Sequence, residues 1–125
     1  MHPGESNASF IVEGIIEMLL KSDDPIAKTV RKHYIIVVIP MLNPDGVIYG
    51  NYRCSLAGSD LNRQWMRPNK SSHPTIFYAK ELLKLMHQLG HTVELFCDIH
   101  GHSRRQGLFL YGCTPIGPLT GDKMQ

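Results

Sequence analysis

Two histidines and one glutamate have the types and spacing of metal ligands. His2 and Glu5 are three residues apart at a turn that leads into a predicted helix, so an imidazole and a carboxylate can converge on one ion. His100 ends a predicted buried strand, the position at which α/β proteins place their sites. Two imidazoles, one carboxylate and an open position form a common catalytic zinc set. The three residues together predict one zinc ion per chain, although each alone is more often an ordinary surface or strand-end residue.

A polar loop between two predicted strands carries groups that suit an anion. Arg53, Asn62 and Arg63 lie in this loop, and a guanidinium presents a planar fork that matches the two oxygens of a carboxylate. Asp60 could accept a hydrogen bond from a ligand imidazole and so fix its tautomer. The alternatives are solvated loop arginines and, for Asp60, a turn or cap residue.

Helical and strand patterns alternate along the chain and position these residues. The periodicity predicts three helices. The first covers about 6–21, a short second one starts at Pro25, and the third runs from Pro74 until Gly90 stops it. Continuous apolar runs predict strands at 34–39, 93–99 and 108–111. Such an order predicts an α/β sheet with at least some parallel strand pairs.

Composition excludes several classes of protein. The 125 residues allow one domain at most, and a net charge of +2 does not indicate a nucleic-acid partner. We see no signal peptide, and the longest apolar run is too short to span a bilayer, so no membrane association is expected. Cys54, Cys97 and Cys113 form no C-x-x-C pair, which argues against a disulfide framework. These observations predict a cytoplasmic protein.

Five segments, in order, carry a resemblance that covers roughly residues 1–113. This chain resembles the cytosolic carboxypeptidases, a branch of the zinc metallocarboxypeptidases that shortens glutamate-rich tails, tubulin's above all. The segments are His2-Pro3-Gly4-Glu5-Ser6, Pro40-Met41-Leu42-Asn43-Pro44-Asp45-Gly46-Val47, Asn51-Tyr52-Arg53-Cys54-Ser55-Leu56, Asp60-Leu61-Asn62-Arg63-Gln64-Trp65 and Asp98-Ile99-His100-Gly101-His102-Ser103.

The resemblance implies a role for each matching residue. His2, Glu5 and His100 would be the zinc ligands, and Asp60 would orient His2. The substrate's terminal carboxylate and scissile carbonyl would be bound by Arg53, Asn62 and Arg63, with Arg53 also catalytic because it polarises the carbonyl. The implied substrates are C-terminal or side-chain glutamates of acidic protein tails, such as those of tubulin.

The chain also departs from the family pattern. The family's general-base glutamate lies well beyond the last zinc ligand, whereas Asp122 is the only acidic residue after Asp98. We therefore expect a fragment with little activity alone: a partial catalytic domain at 1–113, with an incomplete, mixed and largely parallel sheet flanked by helices, and an irregular tail at 114–125. Two alternatives remain open, namely a truncated product that binds acidic tails without cutting them and a related zinc deacylase of N-acyl amino acids.

Overall fold

The computed structural model describes residues 1–21 and 23–112. Within these ranges the chain forms four α-helices and one short 3-10 helix. The α-helices are α1 (Ser6–Lys21), α2 (Pro25–His33), α3 (Pro44–Ile48) and α4 (Pro74–Gln88), and the 3-10 helix covers Leu61–Arg63. The predicted helices at 6–21, from Pro25 and from Pro74 are therefore confirmed, whereas the predicted tail at 114–125 lies outside the described residues.

α2 shows how local chemistry sets the ends of a helix. The Asp24 carboxylate accepts hydrogen bonds from the backbone amides of Ile26 and Ala27, at 2.7 and 3.3 Å, and Pro25 occupies the first turn. Its last turn is basic, which suits the negative end of the helix dipole. α1 packs against α2, where Leu19 and Ala27 are buried.

α3 is a short helix in the second of the five segments that carry the resemblance. The Asn43 side chain is buried and its oxygen accepts a hydrogen bond from the Gly46 amide at 3.0 Å, so the amide acts as the cap of a single helical turn. Pro44 suits the first position because it has no amide hydrogen to satisfy.

α4 fixes the long polar loop that precedes it. The Thr75 hydroxyl donates to the Leu42 carbonyl oxygen at 2.7 Å, and the Lys80 ammonium donates to the Trp65 carbonyl oxygen at 2.6 Å. Ile76 is fully buried on the same helix. The loop is thereby tied at both ends to one rigid element.

The predicted sheet is not formed by the described residues. No strand occurs in 1–21 or 23–112, and the apolar segments 34–39, 93–99 and 108–111 lie outside any helix or strand. Their side chains are largely exposed, with Ile35 at 73% and Leu95 at 81%. A strand exists only where a second backbone completes its hydrogen-bond ladder, and these segments have no such neighbour here. The strand and sheet predictions are therefore not confirmed.

The apolar side chains of α1 are also mostly exposed to solvent. Leu19 is the buried residue of this helix, whereas Phe10 is 73% exposed and Met18 is 43% exposed. A helical stripe is buried only when a second layer packs on it, and α2 covers one end of α1 alone. None of the helices in the described ranges is long and apolar enough to cross a membrane.

The turn that begins the chain is held between two backbones. The Gly4 amide donates to the Tyr52 carbonyl oxygen at 2.8 Å, and a Cβ at Gly4 would lie 2.6 Å from the Tyr52 ring. On the other side, a Cβ at Gly46 would lie 2.5 Å from Cγ of Pro3. Glycine at both positions thus allows the polar loop and α3 to pack closely against the turn that carries His2.

Replacement of Gly46 by alanine should destabilise the chain. The added methyl group would meet the rigid Pro3 ring, and overpacking of this kind costs about 1–3 kcal/mol. Gly14→Ala is the matched control, because nothing lies within 4 Å of a Cβ there and alanine favours an exposed helix by roughly 0.5–1 kcal/mol. Urea unfolding should rank Gly14→Ala above wild type and Gly46→Ala below it; equal stability of the two variants would contradict the contact.

Candidate metal centre

The first turn of the chain brings two side chains to one place. The Glu5 amide donates to the His2 carbonyl oxygen at 3.2 Å, which closes the turn immediately before α1. His2 is buried, with 8% of its surface exposed. The histidine is therefore fixed by its surroundings, and Glu5 lies beside it, immediately before α1.

The carboxylate of Glu5 joins two imidazoles that are distant in sequence. Its Oε1 lies 2.9 Å from Nδ1 of His2, and its Oε2 lies 2.8 Å from Nδ1 of His100. The Gly101 amide donates to the same Oε2 at 2.8 Å. One ligand atom from each of His2, Glu5 and His100 lies within 4.8 Å of the others. The structure thus brings together the three residues predicted as metal ligands.

Both imidazoles present the same nitrogen inward and the same nitrogen outward. Nε2 of His2 lies 2.9 Å from Oδ1 of Asp60, and Nε2 of His100 lies 2.8 Å from Oδ2 of Asp98. A carboxylate on the outer nitrogen fixes the orientation of a ligand imidazole and raises its basicity. The site therefore has the inner and outer partners that a histidine metal ligand requires.

Sequence reasoning found Asp60 but missed Asp98. The signal that could have identified Asp98 is its spacing from His100, Asp-x-His, because side chains two residues apart on an extended backbone project to the same side. From the sequence, Asp98 was recognised only as part of a longer motif, and no partner was predicted for it.

Asp60 connects the histidine to the polar loop. Its Oδ2 accepts a hydrogen bond from Nε of Arg53 at 2.8 Å, and its Oδ1 accepts one from the Asn62 amide at 2.9 Å. Asp60 is thus both the outer partner of His2 and the cap of the 3-10 helix. The two roles proposed as alternatives from the sequence coexist in one carboxylate.

Asn62 also reaches the centre, whereas Arg63 does not. The Asn62 side-chain oxygen accepts a hydrogen bond from the Trp65 indole at 3.0 Å, and its Nδ2 lies 3.2 Å from Nε2 of His100. The exposed Arg63 side chain donates to the Asn62 carbonyl oxygen at 3.3 Å. Of the three predicted anion-binding side chains, Arg53 therefore bonds to the partner of His2, Asn62 lies against His100, and Arg63 lies outside the centre.

The two central carboxylates are held in their charged form. Burial raises the pKa of Glu5, but the hydrogen bonds from the Gly101 amide and His100, with the charge and hydrogen bond of His2, outweigh it and lower the pKa below 4.5. Burial also raises the pKa of Asp60, and the hydrogen bonds from His2, Arg53 and Asn62 outweigh it, so that the pKa is about 2. Both are anionic at neutral pH.

This donor set fits a zinc ion. Zinc binds imidazole nitrogen and carboxylate oxygen in protein sites, and catalytic sites use three protein ligands and leave one position open. The two Nδ1 atoms converge on one carboxylate, and the opposite nitrogens are occupied by Asp60 and Asp98. The arrangement meets the requirements for three protein ligands.

Comparison with known proteins gives consistent results. The zinc carboxypeptidase family model matches residues 1–117. Over 114 residues the chain is 54% identical to cytosolic carboxypeptidase 4 of Homo sapiens and to cytosolic carboxypeptidase 1 of Danio rerio, covering 91% of this chain and 10% of each relative. Cytosolic carboxypeptidase 2 of Mus musculus is 52% identical over 113 residues, covering 90% of this chain and 13% of the relative.

A solved structure is also similar. The metallo-carboxypeptidase from Burkholderia cenocepacia matches with a TM-score of 0.64 and 35% identity, covering 68% of this chain and 23% of that one. The chain spans about a tenth of the length of the curated relatives it matches. With the family model matched along almost the whole sequence, the chain belongs to the zinc carboxypeptidases, a family of zinc-dependent metallocarboxypeptidases.

Proposed function

We propose that this chain is the zinc-binding part of a cytoplasmic metallocarboxypeptidase that removes C-terminal or side-chain glutamates from acidic protein tails, such as those of tubulin. The convergence of His2, Glu5 and His100 on one point carries the proposal. Family membership and the names of the cytosolic carboxypeptidase relatives support it.

His2, Glu5 and His100 would hold the zinc. Each imidazole would bind through Nδ1, because its Nε2 is engaged by Asp60 or Asp98. Bound zinc supplies a Lewis acid and lowers the pKa of a bound water molecule. Asp60 would orient His2 for this role, and its bond to Arg53 would keep that arginine beside the metal.

The polar loop would bind the substrate. Arg53 uses Nε for its bond to Asp60 while its side chain remains 42% exposed, so the guanidinium is accessible to the scissile carbonyl oxygen. Asn62 would donate from its amide nitrogen to the terminal carboxylate. Exposed Arg63 would join it from the solvent side, since a guanidinium matches a carboxylate.

Two finer features complete the proposal. The exposed apolar segments at 34–39, 93–99 and 108–111 would pair as strands of a partial, mixed and largely parallel sheet wherever a neighbouring backbone completes their hydrogen-bond ladders. Asp122 is the only acid after Asp98, so residues 1–125 would lack the family's general base and hydrolyse slowly alone. Binding of acidic tails without cleavage is therefore the second candidate for this polypeptide, because Arg53, Asn62 and Arg63 all lie within it.

Metal analysis of the purified chain tests the ligand set. We expect one zinc per chain in wild type. In His100→Ala the affinity should fall by more than the roughly 10–100-fold that loss of an outer partner costs, because a direct ligand is removed. His91→Ala is the matched control, an exposed histidine outside the cluster.

Retention of zinc by His100→Ala in a folded chain would contradict the ligand assignment. Absence of zinc from the folded wild-type chain would contradict the proposed zinc-binding function for these 125 residues.

Binding of a peptide that ends in several glutamates tests the substrate assignment. The zinc-loaded chain should bind the peptide with no more than slow product release. Arg53→Ala should weaken binding roughly tenfold or more, since a hydrogen bond to a charged group contributes about 1.5–3 kcal/mol. Fluorescence anisotropy measures binding and mass spectrometry measures release. Arg67→Ala, which removes an exposed arginine of the same loop, is the control. An equal loss of peptide affinity in both variants would contradict a specific role of Arg53 and indicate nonspecific charge attraction.

The stability of the metal-free chain should depend on Asp60 and on pH. Because its pKa is lowered from 3.8 to about 2, Asp60 contributes stability that is present above about pH 4 and lost as the pH falls through 2. Asp60→Asn should therefore destabilise the chain at pH 6, by on the order of 1 kcal/mol after allowance for solvent screening. This deficit should shrink on acidification. Urea unfolding across this range measures it, with exposed Asp23→Asn as control; a deficit independent of pH would contradict the electrostatic origin.

A further inference from the structure

We infer that Asp98 is a positioning residue that selects which nitrogen of His100 is available to a metal. The inference rests on the proposed role of His100 as a zinc ligand. It concerns the outer nitrogen, Nε2, which two different side chains approach.

The two neighbours of Nε2 make opposite demands on it. Oδ2 of Asp98 lies at 2.8 Å and can only accept a hydrogen bond in its ionised form, whereas Nδ2 of Asn62 lies at 3.2 Å and can only donate one. The orientation of the Asn62 amide is set by Trp65, whose indole donates to its oxygen at 3.0 Å. An acceptor and a donor therefore compete for one ring nitrogen.

The outcome of this competition decides whether His100 can act as a ligand. If Nε2 carries a proton and donates it to Asp98, the Nδ1 lone pair is directed toward Glu5. If Nε2 is bare and accepts from Asn62, a neutral ring carries its proton at Nδ1, in the ligand position. In the metal-free chain Oε2 of Glu5, also at 2.8 Å, attracts a proton to Nδ1 as Asp98 attracts one to Nε2. A metal ion at the Nδ1 position would remove that competition, and the charge-assisted bond to Asp98, shorter than the contact with Asn62, would then hold the remaining proton on Nε2.

Asp98 is better suited to a selective test than Asp60. Asp60 accepts bonds from His2, Arg53 and the Asn62 amide, so its loss disturbs the polar loop as well as the histidine. The Asp98 carboxylate, by contrast, makes one hydrogen bond within the described part of the chain, and its partner is His100. Removal of Asp98 should therefore act on the ring tautomer while the loop stays in place.

A double-mutant cycle with zinc affinity as the readout tests the inference. Asp98→Ala should weaken zinc binding by about 10–100-fold, as loss of an outer partner does. Asn62→Leu removes the competing donor, so Asp98→Ala combined with Asn62→Leu should regain most of that loss. A purely structural role of Asp98 would give no such recovery. Glu94→Ala removes an exposed acid from the same segment and should leave zinc affinity unchanged.

Each result separates this inference from the proposed function. If wild type does not bind zinc, both fail. If wild type binds zinc and Asp98→Ala matches Glu94→Ala, only the inference on Asp98 is overturned; it is also overturned if the double variant is no better than Asp98→Ala. Circular dichroism checks folding. Should Asp98→Ala not fold, Asp98→Leu has a similar volume and no acceptor, and an affinity equal to wild type in that variant would overturn the inference.

Discussion

The carboxylate of Glu5 is the contact on which the rest of the site depends. It bonds to His2 beside it and to His100 and Gly101, which lie 95 and 96 residues away. Closing a loop of that length costs on the order of 4 kcal/mol in chain entropy. Each hydrogen bond to a charged group contributes about 1.5–3 kcal/mol, so the two bonds that span the loop, from His100 and Gly101, can offset that cost. Two of the interactions that keep the Glu5 pKa low, the hydrogen bonds from Gly101 and His100, therefore also join segments that are distant in sequence.

The polar loop is the second constraint. Its middle must contact the metal centre, whereas the points that anchor its backbone lie on α4, away from that centre. Thr75 and Lys80 of α4 anchor its backbone, and Asp60 connects its middle to His2. The close approach of Gly46 to Pro3 then sets the distance between α3 and the turn. The loop thus takes its shape from hydrogen bonds to rigid neighbours together with the burial of Leu61.

What could be predicted from the sequence was chemistry set by short spacings. The spacing of His2 and Glu5 and the helix predicted from Pro25 gave the local geometry correctly, because neighbouring residues alone decide a turn or the start of a helix. Asp60 as the partner of His2 came from the resemblance, and the 2.9 Å contact agrees with it. Arg63 was predicted to bind the substrate's carboxylate with Arg53 and Asn62; its side chain is exposed, and this role stays a prediction.

The strands could not be predicted in the same way. An apolar run such as 34–39 shows that a segment can pair, but pairing depends on another backbone that the segment does not specify. The exposed face of α1 has the same cause, since Phe10 and Met18 require a covering layer. Sequence patterns therefore predicted which surfaces are apolar, and the structure decided which of them are covered.

The charges around the two imidazoles explain why the cluster suits a divalent cation. Glu5, Asp60 and Asp98 are carboxylates, and Arg53 is the guanidinium bonded directly to one of them. With both imidazoles neutral, these side chains leave the cluster two negative charges in excess. A divalent cation held by His2, Glu5 and His100 would balance this excess, with Asp60 and Asp98 remaining on the outer nitrogens. Because an imidazole binds a metal through an unprotonated nitrogen, the carboxylates on the outer nitrogens complement the ligands by favouring a proton on that side of each ring.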